Sequence, residues 1–166
     1  KAVVNTKKIT KTMEMIATAK FRKAMNRRTG ALSYREVLEK MAGVLFEDTQ
    51  HPLMIPREKV HHTTLLVLSS NRGLCGGYNS NLLRTAKKHY LELKSQLQVS
   101  LWVSGKKGHG YAKYNQMTVD NKLISPEDKA DWEETVALVD RLAEDFLSGR
   151  TDRVEVYYNS FVSTTA

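Results

Sequence analysis

No proline falls between Thr6 and Phe46, and the stretch is rich in Met, Ala, Lys, Arg, Leu and Glu. These residues lose little on entering a helix. The run predicts one helix of about 45 residues, which at ~1.5 Å per residue would span roughly 65–70 Å. Asn5 or Thr6 is expected to cap its start. His51-Pro52 marks its end, because the residue before proline avoids the helical region. Gly30 and Gly43 are its weak points, each costing about 1 kcal/mol against alanine.

A helix this long cannot bury a stripe against itself, so its apolar residues call for a partner. Ile9, Met13 and Ile16 follow the 4–3 step of a coiled-coil seam. The next step lands on Lys20, and a clear apolar stripe returns at Val37, Leu38, Met41, Val44 and Leu45.

Charge separates the arm from the rest. Residues 1–40 hold eleven basic and three acidic side chains, which accounts for the whole net charge of +8; the other 126 residues carry 15 of each sign. A positive field concentrated in this way attracts a polyanion, an anionic membrane surface or an acidic protein face. The longest aliphatic run is Leu65-Leu66-Val67-Leu68, far short of the roughly 18 residues of a membrane-spanning helix. One cysteine among 166 residues excludes an intrachain disulfide and makes a reducing compartment the expected home. No charged-then-apolar leader follows Lys1, so secretion is not expected.

Beyond Pro56 the pattern changes to alternating strand and helix signals. Strands are expected at Val60–Ser70, Gln98–Ser104 and Arg153–Val162, and a short strand or an extended link at Met117–Ile124. Helices are expected at Ser80–Lys94, through Tyr111 and Tyr114, and from a start at Ser125-Pro126-Glu127-Asp128 to Leu147, with Gly149 as the stop. The order predicts a small, mostly parallel, Rossmann-like α/β domain over 57–166, after a helical arm over 1–50.

Between the first strand and the helix after it lies Asn71-Arg72-Gly73-Leu74-Cys75-Gly76-Gly77-Tyr78-Asn79. Nucleotides often bind at such a turn. The Gly73-x-x-Gly76-Gly77 spacing, however, is not a dinucleotide fingerprint, and no lysine followed by Ser or Thr completes a phosphate loop. The glycines are read instead as letting backbone pass close to backbone. Cys75 has no histidine beside it in sequence, though a fold could bring His109 near. His51, His61, His62, His89 and His109 join no cysteine or carboxylate at metal spacing, and His61-His62 reads as a strand-entry pair. The acidic group Glu127, Asp128, Asp131, Glu133 and Glu134 reads as a solvated helix face and first turn. Neither catalytic residues nor a cofactor or metal site are expected.

Two stretches together are similar to a known family. Asn5-Thr6-Lys7-Lys8-Ile9-Thr10-Lys11-Thr12-Met13-Glu14-Met15-Ile16-Ala17-Thr18-Ala19-Lys20 and Ser69-Ser70-Asn71-Arg72-Gly73-Leu74-Cys75-Gly76-Gly77-Tyr78-Asn79 resemble the two most characteristic segments of the gamma subunit of F-type ATP synthases. Gly149-Arg150 through Tyr157-Tyr158-Asn159-Ser160-Phe161 also looks like that family. Asn71 stands where an Asp is usual, no cysteine-bearing regulatory insert follows the second strand, and the Gly76-Gly77 pair looks bacterial.

The resemblance implies a rotor, and a chain covering part of the family's length without its long C-terminal helix. That helix would wrap the arm as an antiparallel coiled coil inside a ring of alpha and beta subunits. The α/β domain would sit near the epsilon subunit and the membrane ring of c subunits, peripheral to the cytoplasmic face of a bacterial plasma membrane. Rotation would couple ion flow to ATP synthesis on beta, with neither nucleotide nor catalysis on this chain. The implied partner-facing residues are Lys7, Lys8, Lys11, Met13, Ile16, Lys20, Arg22 and Lys23, with Arg72, Gly73, Leu74, Cys75, Gly76 and Gly77 in the turn. The competing readings are a nucleic-acid-binding protein with a basic helical arm, and a small α/β enzyme using the glycine turn. Against the first, the arm interleaves Met, Ile and Ala at core spacing and lacks aromatic stacking platforms.

Overall fold

A computed structural model describes residues 1–48, 51–123 and 131–163. The chain divides into two compact units, Lys1–Met54 and Ile55–Ala166.

The first unit is essentially one helix, α1, from Ala2 to Asp48, 47 residues long, followed by a single 3₁₀ turn at Pro52–Met54. It starts earlier than expected. Asn5 and Thr6 are helical rather than caps, and the Thr6 hydroxyl donates to the Ala2 carbonyl at 3.1 Å. Thr10, Thr12 and Thr18 return their hydroxyls to the carbonyls of Thr6, Lys8 and Glu14 in the same way. A threonine that bonds back one turn satisfies its own polar group, which lets it sit inside a helix where it would otherwise compete with the backbone. Helix continues through Gly30 and Gly43, so neither breaks it.

The second unit is a four-stranded sheet with helices. Its elements are β1 (His62–Leu68), α2 (Tyr78–Lys94), β2 (Gln98–Ser104), α3 (Lys106–Tyr114), β3 (Asn121–Leu123), α4 (Trp132–Leu147) and β4 (Arg153–Tyr157). The strand order is β3-β2-β1-β4, and every pairing is parallel. Thus β1–α2–β2 and β2–α3–β3 step one way across the sheet, and the connection through α4 crosses back to β1's free side. The α/β reading holds.

A central parallel strand is covered on both faces and reads as a continuous apolar run, as β1 does: Thr63 to Val67 are all buried. Leu65, Val67, Leu101 and Val103 point to one face, where they meet Leu82, Leu83, Ala86 and Tyr90 of α2. Each large side chain so buried contributes about 1.5–3 kcal/mol. Leu66 and Trp102 point to the other face, where the Arg141 guanidinium of α4 stacks 4.7 Å from the Trp102 ring.

Several boundaries differ from expectation: β1 is shorter at both ends, His62–Leu68 rather than Val60–Ser70, and α2 starts at Tyr78 rather than Ser80. The last strand ends at Tyr157, not Val162: its ladder with β1 closes at Val67 opposite Tyr157, one residue before β1 itself ends at Leu68. The third covers only Asn121–Leu123, because Met117 closes a turn onto the Ala112 carbonyl and Gln116 adopts a positive φ of 54°. The helix start expected at Ser125–Asp128 lies outside the described residues. The described helix is capped by Asp131, whose side chain accepts from the Glu133 amide at 2.8 Å. Glu133 and Glu134 occupy its first turn, exposed as expected, and Gly149 follows its end with φ 75°.

Candidate partner interface

The residues implied as partner-facing fall into two groups, one on each unit. On α1, Lys7, Lys8, Lys11, Lys20, Arg22 and Lys23 are all exposed. So are the large apolar side chains: Ile9 is 61% exposed, Met13 46% and Ile16 53%. Lys11 pairs with Glu14 at 3.2 Å, and Arg35 with Glu39 at 2.7 Å. Such solvated pairs contribute little to stability. The stripe of Val37, Leu38, Met41, Val44 and Leu45 is likewise exposed.

The turn group connects β1 to α2, and its shape is set by polar residues around the glycines. The Asn79 side chain accepts from the Ser70 amide at 3.1 Å and donates to the Ser70 hydroxyl at 2.8 Å and to the Cys75 sulfur at 3.1 Å. The Ser70 hydroxyl also reaches the Arg72 carbonyl at 2.7 Å. Asn71 accepts from the Lys106 amide at 3.0 Å, and Ser69 Oγ from the Gly108 amide at 2.8 Å, so the turn braces the start of α3. The residues implied as partner-facing did not include Ser69, Ser70, Asn79 or Lys107. The signal was the alternation of Ser and Asn, the residues that bond their own backbone in turns.

The glycines do different work from that expected. Gly76 is needed for its φ of 55°, since the space where a Cβ would stand is open, and Gly73 borders only the flexible end of Lys107. Close approach of backbone to backbone occurs instead at Gly105, where φ is 87° and a Cβ would collide with the Ser69 carbonyl. Leu74 also takes a positive φ of 60°, uncommon for a side chain of its size. It projects into solvent with 92% of its surface exposed.

Cys75 is exposed, and its sulfur meets the Asn79 amide and, at 4.0 Å, the Arg72 carbonyl; neither is a base. His109 is held elsewhere, its Nε2 buried without a hydrogen-bond partner. Burial first, and then the charge of Lys122, hold its imidazole below the usual value. His62 opens β1, its Nε2 2.8 Å from the Ser100 hydroxyl. Among the described residues no three His, Cys, Asp or Glu side chains are grouped so as to hold a metal ion, and no helix is long and apolar enough to cross a membrane. The arrangement offers charged and apolar contact surface, without a nucleophile–base pair among these groups.

The family model described as ATP synthase matches residues 1–166. The ATP synthase gamma chain of Rhodopirellula baltica is 38% identical over 99% of this chain and 57% of its own length. That of Microcystis aeruginosa is 39% identical over 98% of this chain and 53% of its own. The chain therefore spans a little over half the length of these relatives. The fold is shared with the central stalk and c-ring structure of Tetrahymena thermophila mitochondrial ATP synthase, at a TM-score of 0.71 and 22% identity over 93% of this chain and 66% of that one. It is shared also with the rotor of Euglena gracilis mitochondrial ATP synthase, at 0.60 and 22% over 96% and 54%. Matched along its whole length by the family model, and more than a third identical to both of these bacterial relatives, the chain belongs to the ATP synthase gamma-chain family.

Proposed function

We propose that this chain is the rotor part of a rotary ATP synthase, carrying torque between a membrane ion-driven ring and catalytic subunits without performing chemistry itself. The observation that carries the reading is α1: 47 residues of helix with no break, in which Ile9, Met13, Ile16, Val37, Leu38, Met41, Val44 and Leu45 are exposed. Such a helix asks for a second helix along its stripe, and residues 1–50 then serve as the arm of a coiled coil. Residues 57–166 serve as its foot, near an epsilon subunit and a ring of c subunits on the cytoplasmic face of a bacterial membrane. The basic residues Lys7, Lys8, Lys11, Lys20, Arg22 and Lys23, with Met13 and Ile16, face partners, chiefly acidic surfaces of beta within a ring of alpha and beta subunits. Charge attraction suits a rotating contact, since it acts over ~8 Å at physiological salt and imposes no single register. In the foot, the braced turn from Arg72 to Gly77 is a second contact. Nothing in the relatives favours a nucleic-acid-binding arm.

The test is assembly and coupling. Full-length protein should co-purify with alpha and beta subunits. Reversing Lys7, Lys11 and Arg22 to Glu should leave the complex assembled but uncouple ATP hydrolysis from ion pumping. Retained coupling in the reversed protein would contradict the reading.

A further inference from the structure

The two sides of α4 meet different surroundings. On the sheet side, Leu138 and Arg141 border a space beside Leu68 and Ser104 at the ends of β1 and β2, and the Arg141 guanidinium lies over Trp102. The far end of the helix is tied as well. Arg57 donates to the Phe146 carbonyl at 2.8 Å, and the Asp145 carbonyl accepts from the Thr151 amide at 3.0 Å. These contacts fix the rotation of the helix about its axis. Its outward side then carries Trp132, Val136 and Val139, which are 78%, 38% and 57% exposed. At ~100° per residue the three fall within an arc of about 60°, and Arg141 stands roughly 180° from Trp132. A tryptophan left in solvent in line with two valines has the composition of an interface centre rather than of a solvated surface.

Charge says what this stripe fits. About 100° around the helix from Trp132, Glu133, Asp140 and Glu144 form an exposed row along one flank. The ion pair that α4 does form among the described residues, Asp145 with Arg150 at 2.6 Å, leaves that row without a counter-charge. The other flank, Thr135 and Leu142, is uncharged. The asymmetry extends across the sheet. α2 and α3, which pack on the opposite face, carry four and three basic side chains and one acidic, Glu92; Asp131 to Leu147 carry six acidic and one basic. The even balance of charge outside the arm is therefore a cancellation between two oppositely charged sides of the sheet.

We infer that the outer side of α4 is a docking surface for a segment of another subunit that is apolar at its centre and carries lysines or arginines along one edge. Trp132, Val136 and Val139 meet its apolar residues, and Glu133, Asp140 and Glu144 meet its cations. Because the acids lie on one flank only, the partner fits in one orientation. An acidic partner would set like charges together, and an uncharged one would desolvate three carboxylates without return. The surface lies in the α/β domain, apart from both the arm and the Arg72–Gly77 turn, and does not depend on rotation.

Trp132 reports on the surface directly. Trp102, the other tryptophan of the chain, is 4% exposed, so acrylamide quenches chiefly Trp132. Two synthetic helices serve as probes of the 166-residue chain: a leucine stripe flanked on one side by lysines, and the same stripe flanked by glutamates. The lysine helix should shield Trp132 and bind about tenfold tighter or more. The reversal Glu133→Lys, Asp140→Lys, Glu144→Lys should invert the preference. Glu133→Gln, Asp140→Asn, Glu144→Gln, milder for folding, should erase it. Val136→Asp with Val139→Asp should remove shielding by either helix. Equal binding of the two helices by the natural protein, a preference unchanged by the reversal, or no shielding at all would overturn the inference. In the complex assembled by the full-length protein, Val139→benzoylphenylalanine should cross-link on illumination to a basic and apolar segment of another subunit. A cross-link to a second copy, to this chain's own residues or to an acidic segment, or none, would overturn it too. Failure to assemble would count against the rotor reading alone, because the peptide measurement needs no other subunit.

Discussion

At Asp152 a single carboxylate ties the entry of β1 to the approach of β4. Its Oδ2 accepts from the His61 amide at 2.8 Å and the His62 amide at 2.9 Å. These two bonds hold its carboxyl below the ordinary value of 3.8. A carboxylate whose folded value is depressed adds stability that is complete above the unfolded value and is lost as pH falls through the folded one. Urea midpoints should therefore drop below about pH 4 more steeply in the natural protein than in Asp152→Asn; parallel curves would count against this role. Glycines give a second contrast. Gly105→Ala combines a positive φ with a collision against the Ser69 carbonyl and should cost about 2–4 kcal/mol. Gly110→Ala, inside α3 with open space around it, should gain about 0.5–1 kcal/mol. Asn79→Ala leaves the Ser70 amide without its acceptor and should cost about 1–3 kcal/mol in the same measurement. The role of Asn79 was hard to read in advance because a short polar side chain can bond so many backbone groups. The glycine spacing drew the eye to Gly73 and Gly76, whereas the crowded contact formed at Gly105, well beyond them in sequence and adjacent only in the fold.

Elements were more legible than their ends. β2 runs from Gln98 to Ser104 as the alternation implied, and α2 ends at Lys94. A buried run such as Leu65–Leu68 carries its own signal, because burial on both faces demands apolar residues on both. Strand ends follow the partner instead. β4 stops at Tyr157, one residue short of the position opposite Leu68 at the end of β1, and nothing within Arg153–Val162 says so. Likewise α1 needs no cap at Asn5 or Thr6, since the helix is already formed upstream at Ala2, Val3 and Val4. Gly30 and Gly43 have open space around them in α1. Alanine at either should gain about 1 kcal/mol, read as slower exchange of the flanking amides. Such a gain would mark both as tolerated weak points; a loss at Gly30 would instead mark close packing of a neighbour there.

For the chain as a whole, composition located the charge on the arm, and the proposal that this charge faces partner subunits comes from the family resemblance. Neither could be reached from the sheet, which many unrelated proteins share. The exposed stripes on α1 have a direct physical consequence: this chain by itself should self-associate as its concentration rises, because contiguous apolar surface on a helix is a docking face. Sedimentation should show association that Ile16→Glu with Val37→Glu reduces. The measurement that bears most directly on the rotor reading is a cryo-EM map of the complex assembled by the full-length protein. The account predicts that α1 lies along the central axis of a ring of alternating subunits, paired with a second helix along its Ile9–Val44 stripe. An α1 lying on the periphery of the ring, or packed singly with that stripe facing solvent, would contradict it.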